Sequence, residues 1–292
     1  MSQSTRGFPQ DQPADLVVAC RDLKPHNRPV AKTPWQQRIR RAEQLAAQYP
    51  FAAEILGFYI HIADFQQSLY QRLEKASDKK APVSLAGPLR SPEFMRGFPA
   101  FLSLVEEKAP AQFAQIARDL RKASSASWPD LLSHCWASTT EPEVPEEFLA
   151  LAFLQPYAEF IRSRAGLQLD GYTHSICPFC NRKPGLGVLR PLGDGARRNL
   201  VCGFCLCEWE FRRIVCAGCG HEDQAKLPVY TAEQFPHIRV ECCDACHTYI
   251  KSVDLAKNGL ADPLVDELAS VPLDLWAQEH GYAKLRPNLL GM

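Results

Sequence analysis

From Thr33 to about residue 165, apolar side chains recur every three or four positions. Trp35, Ile39, Ala42, Leu45 and Tyr49 mark one face of a helix. Thr33-Pro34 supplies its N-cap and first helical residue, and Gln36 stands where a capping box needs it. Ile55, Phe58, Ile62, Phe65, Leu69 and Leu73 stripe a second, longer helix that opens at Pro50 and fades into the polar Lys75–Lys80. Ser91-Pro92 opens a third stretch through Phe94, Phe98, Phe101, Leu102 and Val105, in which Pro99 predicts a break or kink. Pro110, Pro129 and Pro145 each open a further helix, the last kinked near Pro156. The aromatic stripes fall at helical spacing, so they are expected to pack a core rather than hold a cofactor.

Around Gly166 this periodicity stops. Cysteine, glycine and short β-prone runs take over to about Lys251. Helical spacing then returns in Pro263 to Leu268 and in Pro272 to His280, the latter with Leu273, Trp276 and Ala277 on one face. Within the irregular stretch stand four Cys-x-x-Cys pairs: Cys177/Cys180, Cys202/Cys205, Cys216/Cys219 and Cys243/Cys246. Two thiolates three positions apart on a tight knuckle grip an ion from one side, and two knuckles complete a tetrahedral four-sulfur site. The pairs form an internal duplication. The first two are separated by 21 residues and the last two by 23, so both copies align almost in register. Each copy reads knuckle, strand fragments, knuckle, with Leu186–Leu189 and Leu200–Val201 in one and Val229–Tyr230 and Ile238–Val240 in the other. This is the layout of a rubredoxin-like or zinc-ribbon module, whose small core leaves much of its folding free energy to the metal.

The expected fold is therefore a mainly α N-terminal domain followed by two small rubredoxin-like (zinc-ribbon-like) β modules in tandem. The expected divisions are an extended arm over 1–30, an all-α domain over 31–170, the modules over 171–214 and 215–252, and a helical tail over 253–292. Sequential pairing puts Cys177, Cys180, Cys202 and Cys205 around one ion and Cys216, Cys219, Cys243 and Cys246 around the other. Interleaved pairing is the rival. A knuckle needs positive φ just past its second cysteine, which Gly220 provides at no steric cost and Asn181 tolerates, whereas Leu206 and His247 fit less well. Cys207 and Cys242 each adjoin a ligand and are expected to pack as small apolar side chains, the alternatives being a substitute ligand or a reactive thiol. Cys20 and Cys135, far from the cluster, are expected to be small apolar core residues. His174, His221, His237 and His247 flank sites that eight cysteines already fill, so they are expected at the surface or behind the ligands.

Composition narrows the function classes. The 292 residues carry 33 basic and 33 acidic side chains, so no net field draws the chain to nucleic acid or an anionic membrane. Arg182, Lys183, Arg190, Arg197, Arg198, Arg212 and Arg213 are candidates for a local basic stripe, diluted by Asp194, Glu208, Glu210, Glu222, Asp223 and Glu233. No apolar run approaches the ~20 residues of a membrane-spanning helix, and Met1 to Gln12 lacks the apolar core of a secretory signal. A cytoplasmic protein with no membrane insertion is expected. In that reducing compartment clustered cysteines predict metal ligands rather than disulfides. No nucleophile–base pair is specified, so no enzymatic activity is expected.

Several motifs together resemble one family. They are Ile176-Cys177-Pro178-Phe179-Cys180, Cys202-Gly203-Phe204-Cys205, Cys216-Ala217-Gly218-Cys219-Gly220-His221, and Cys243-Asp244-Ala245-Cys246-His247-Thr248-Tyr249-Ile250-Lys251. Asp266-Glu267-Leu268-Ala269 and Leu273-Asp274-Leu275-Trp276-Ala277 complete the set. The chain resembles the formate dehydrogenase accessory proteins of the FdhE family. The resemblance implies a cytoplasmic maturation factor for an exported respiratory formate dehydrogenase, docking on that enzyme's catalytic subunit. It also implies iron in the two four-cysteine sites. Zinc is the alternative, because both metals accept the same tetrahedral thiolate geometry. The competing functional class is a structural zinc-ribbon scaffold that binds protein or nucleic acid.

Overall fold

The computed structural model describes residues 34–76, 92–142 and 144–291. The expected arm over 1–30, Cys20, and the caps at Thr33 and Ser91 lie outside the described residues. The helical part consists of α1 (Pro34–Gln48), α2 (Ala53–Ala76), α3 (Pro92–Met95), α4 (Gly97–Lys108), α5 (Ala111–Lys122), α6 (Trp128–Ala137) and α7 (Pro145–Arg164). The apolar stripes face inward. Trp35, Ala42 and Leu45 of α1 and Phe58, Ile62 and Leu69 of α2 are buried. Phe153 of α7 sits at the centre of an aromatic core, its ring 5.0 Å from Phe94, 5.1 Å from Phe98 and 5.8 Å from Phe101. Tilted rings at such separations add to what burial of each side chain contributes, about 1.5–3 kcal/mol.

The two interior prolines are accommodated differently. The break expected at Pro99 falls earlier, at Arg96, and Pro99 becomes the third residue of α4. A first-turn N–H has no partner inside its helix, so losing one there costs little. Pro156 lies well inside α7, where it cannot donate to the carbonyl of Ala152. Gln66 of α2, 1% exposed, fills the gap: its Nε2 donates to Ala152 O at 2.6 Å. Gln66→Leu should therefore destabilise the protein by about 1–3 kcal/mol, because it leaves a buried carbonyl without a donor. Urea unfolding would measure this, and a change below about 0.5 kcal/mol would show that water reaches the carbonyl instead.

α7 is buried on nearly every side from Leu149 to Ile161, with Leu151 half-buried, because it packs against α2, α5 and α6 and also carries the 202–205 turn. The β-sheet is built from β1 (Leu186–Leu192), β2 (Gly195–Val201), β3 (Glu208–Glu210), β4 (Val229–Ala232), β5 (Phe235–Cys243), β6 (Thr248–Asp254) and β7 (Ala283–Lys284). The order is β3-β2-β1-β6-β5-β4, with β7 pairing beside β6. β1 and β2 form an antiparallel hairpin with β3 at its edge, and β4, β5 and β6 form the second antiparallel set. The tandem modules are thus present, but their strands share one sheet. The seam is the parallel pairing of β1 with β6, where Gly187 faces Ser252. A Cβ at Gly187 would stand 3.1 Å from Ser252 Cβ, so the absent side chain is what lets the modules close edge to edge. The tail folds as α8 (Pro263–Ala269) and α9 (Val271–Glu279), and Asp262 caps α8 by accepting hydrogen bonds from the amides of Leu264 and Val265.

Candidate metal centres

Each Cys-x-x-Cys pair folds into the same kind of turn. The amide of the first cysteine donates to the carbonyl five residues on, from Cys177 to Arg182, Cys202 to Cys207 and Cys216 to His221, at 2.8–2.9 Å. The residue after the second cysteine donates back to the carbonyl of the first. These bonds are Asn181 to Cys177, Leu206 to Cys202, Gly220 to Cys216 and His247 to Cys243. Closing so tight a loop drives that residue into the left-handed region. Gly220 has φ 74° and Asn181 φ 57°, as expected, but Leu206 (55°) and His247 (54°) adopt it too. The second knuckles therefore need the same backbone as the first, and Leu206 and His247 each carry about 1–2 kcal/mol of steric cost to provide it. Inside the turns the amides of Phe179, Phe204 and Gly218 point at the first sulfur of their knuckle, at 3.2–3.4 Å. Such donors offset thiolate charge.

The knuckles meet in the sequential pairing. Cys177, Cys180, Cys202 and Cys205 form one group, and Cys216, Cys219, Cys243 and Cys246 the other, with all sulfurs of a group within 4.8 Å of one another. Across the knuckles, Sγ–Sγ separations are 3.4 Å for Cys177–Cys205 and for Cys180–Cys202. They are 3.7 Å for Cys216–Cys246 and 3.8 Å for Cys219–Cys243. A disulfide would require about 2.0 Å. An ion held tetrahedrally by bonds of about 2.3 Å separates its sulfurs by about 3.8 Å. Either group can accordingly hold one metal ion, and the chemistry of four thiolates fits iron and zinc alike.

The other described thiols and the histidines are not members of these groups, and of the thiols Cys207 touches one, at Cys177. Cys207 and Cys242 are buried, at 2% and 3% exposure, and neither belongs to a four-sulfur group. Burial pushes the thiols of Cys242 and Cys135 up to about 12, as for inert core residues. His174 and His247 are exposed, while His237 is buried with its Nε2 2.7 Å from Asp266.

The two groups differ in setting. In the first, Cys177, Cys202 and Cys205 are fully buried and Cys180 is half-buried, and the 202–205 turn lies against α7. Gln155 Nε2 donates to Gly203 O at 2.9 Å and Arg162 Nε to Cys205 O at 3.3 Å. The guanidinium of Arg182 lies 3.9 Å above the Phe204 ring and donates to the carbonyls of Cys135 and Trp136. In the second, Cys219 is exposed and Cys246 half-buried. Burial disfavours the Cys246 thiolate, but hydrogen bonds from Thr248 outweigh it and hold the thiol down at about 7.

Behind the second group lies a buried ionic network that periodicity did not reveal. Lys251, fully buried on β6, donates to Glu267 O and to Asp274 Oδ2 at 2.6 Å each, and to Ser270 Oγ at 3.1 Å. Lys284 pairs with Glu267 and Asp274, Asn288 donates to Glu267 Oε2, and Tyr249 donates to Asp274 Oδ1. A second cluster joins the helical part to the tail: Arg41 makes a bidentate contact with Asp266, which also meets His237. Asp266, Glu267 and Asp274 belong to the tail motifs noted in the sequence. Their alternation with apolar residues on short helices was the available signal, but it does not say which buried cation each acid meets.

Comparison with known proteins follows the same outline. Residues 214–290, the second module and the tail, match the family model described as FdhE, C-terminal domain. The chain is 27% identical over 267 residues to a protein FdhE homolog of Aquifex aeolicus, covering 87% of this chain and 94% of that one. It is 27% identical over 307 residues to a protein FdhE homolog of Pseudomonas aeruginosa, covering 96% of each. The crystal structure of the FdhE protein from Pseudomonas aeruginosa superposes with a TM-score of 0.63 at 25% identity, over 88% of this chain and 95% of that one.

Proposed function

The chain belongs to the FdhE family, and from that premise we propose that it is a metal-binding accessory protein for the maturation of a formate dehydrogenase, docking on that enzyme's catalytic subunit in the cytoplasm. The observation that carries the reading is the pair of four-sulfur groups on a scaffold of the same outline as the FdhE protein. In this reading each group holds one iron ion, and the helical part and sheet, fused through a continuous core, present a rigid surface to the immature partner. The protein then acts by holding or presenting rather than as an enzyme, and its described thiols outside the two groups are buried.

The competing scaffold for nucleic acid has little charge left to work with. Arg190 is paired with Glu208, Arg197 with Glu210, Arg198 with Glu241 and Arg212 with Glu222, Lys183 lies 3.4 Å from Glu141, and Arg182 is buried. Among the described residues no helix is long and apolar enough to cross a membrane.

The test is co-purification with the immature catalytic subunit of a formate dehydrogenase. Metal-loaded, reduced protein is expected to retain the subunit, and its loss under those conditions would overturn the reading. Metal content with a visible spectrum separates iron from zinc, since ferric iron bound by four thiolates has charge-transfer colour and zinc has none.

A further inference from the structure

We propose that the two four-cysteine groups do different work: the first staples the fold, and the second is the exchangeable, reactive centre. This rests on the reading of both groups as metal sites. Three independent observations separate them.

The first is access. Cys177, Cys202 and Cys205 are each at 0% exposure and Cys180 is half-buried, whereas in the second group Cys219 is exposed and Cys246 half-buried. An electrophile or competing chelator must reach a sulfur lone pair to displace it from a metal. At the second group the exposed Cys219 is open to such attack without any unfolding. At the first, none of the four is exposed, and three are reached only after the surrounding structure opens.

The second is anchoring. The 202–205 turn is held from outside by α7, through Gln155 on Gly203 O and Arg162 on Cys205 O. Phe204, inside that turn, packs under Arg182 and 5.6 Å from the Trp136 ring. Moving this knuckle means disturbing the main core. The corresponding turn at 243–246 is tied to the tail and a neighbouring loop. Tyr282 donates to Asp244 Oδ1, and the amide of Asp244 donates to Lys226 O. Local opening there exposes little apolar surface and so has a low free energy.

The third is space. A cavity of about 450 Å³ is lined by Cys216, Cys242 and Cys243, and it reaches the surface at Arg213 and Ile214, which are both exposed. The second group can therefore be approached from its inner side as well as past Cys219.

The experiment uses the full chain loaded with zinc to two equivalents, with stoichiometry measured first. A mercurial thiol reagent is then added under native conditions. Zinc release is followed with a colorimetric chelator, and alkylation with mass spectrometry locates the freed thiols. Release is expected in two phases separated by about tenfold or more in rate, because only the slow one requires opening of the core. The fast phase should free one equivalent and label Cys216, Cys219, Cys243 and Cys246, with Cys177, Cys180, Cys202 and Cys205 protected and the helical circular dichroism unchanged. Two equivalents released in a single phase, or early labelling of the first group, would overturn the assignment alone. A starting stoichiometry below two would overturn the metal reading, and this assignment with it.

Discussion

Cys202→Ser is expected to cost the protein its first metal and much of its stability together. Cys202 is fully buried, its sulfur lies 3.4 Å from that of Cys180, and its knuckle is the one held by α7. Structural metal binding contributes about 10–16 kcal/mol in zinc-finger peptides, as much as a whole domain's net stability of about 5–15 kcal/mol. A serine hydroxyl is a poor ligand for a soft-thiolate site and leaves a polar group buried in an apolar setting. Metal content should fall from two equivalents to one. The melting temperature should drop by about 10 °C or more, and proteolysis should begin in the sheet around β1 and β2. Cys219→Ser, at the exposed end of the second group, should also lose one equivalent while leaving the helical part resistant to protease. Retention of two equivalents by Cys202→Ser would refute the ligand assignment.

Lys251→Met should be nearly as damaging, for an electrostatic reason. The Lys251 ammonium is fully buried, and burial together with the neighbouring Lys284 charge holds it below its usual value, against the pull of Glu267 and Asp274. Removing it leaves two buried carboxylates to share Lys284. Breaking such a network from one side typically costs about 3–5 kcal/mol. Urea denaturation should read this as a lower midpoint with an unchanged slope. Adding Asp274→Asn should recover about 1–3 kcal/mol of the loss, since the remaining Lys284–Glu267 pair is then balanced. Strict additivity of the two substitutions would show that the groups do not act as a unit.

The same network sets an acid limit. Burial raises the Glu267 pKa, but Lys251 and Lys284 outweigh it and hold the carboxyl at about 2, below the ordinary 4.5. A carboxylate depressed in the folded state contributes stability above its unfolded pKa and loses it as pH falls through the folded one. The stability difference between wild type and Glu267→Gln should therefore be constant above pH 4.5 and shrink between 4.5 and 2. A difference that stays flat across this window would mean that the carboxylate has no ionic role.

Much of the fold and the site was legible because it is written in local spacing. The stripes of α1 and α2 follow from the helical period, and both four-cysteine groups follow from the i, i+3 placement of thiols on a tight turn. The duplicated linker lengths sufficed to choose sequential over interleaved pairing. Other features had no local signature. Leu206 and His247 occupy left-handed positions because the closing hydrogen bond to the first cysteine's carbonyl demands it, whatever the residue. Gln66 gives no hint in its own helix that it completes the broken ladder at Pro156, because its partner lies 86 residues away.

What this sequence determined by itself, then, is a helical region and two four-cysteine groups, since each arises from residues close together along the chain and from chemistry that few side chains share. Only the tertiary structure decided that the modules fuse into one sheet at Gly187 and Ser252, that one group is mostly buried with its second knuckle against α7 while the other exposes Cys219, and that Lys251 finds Glu267 and Asp274. Burial and ion pairing are properties of surfaces brought together from distant segments, and neither the period of a helix nor the spacing of a knuckle carries that information.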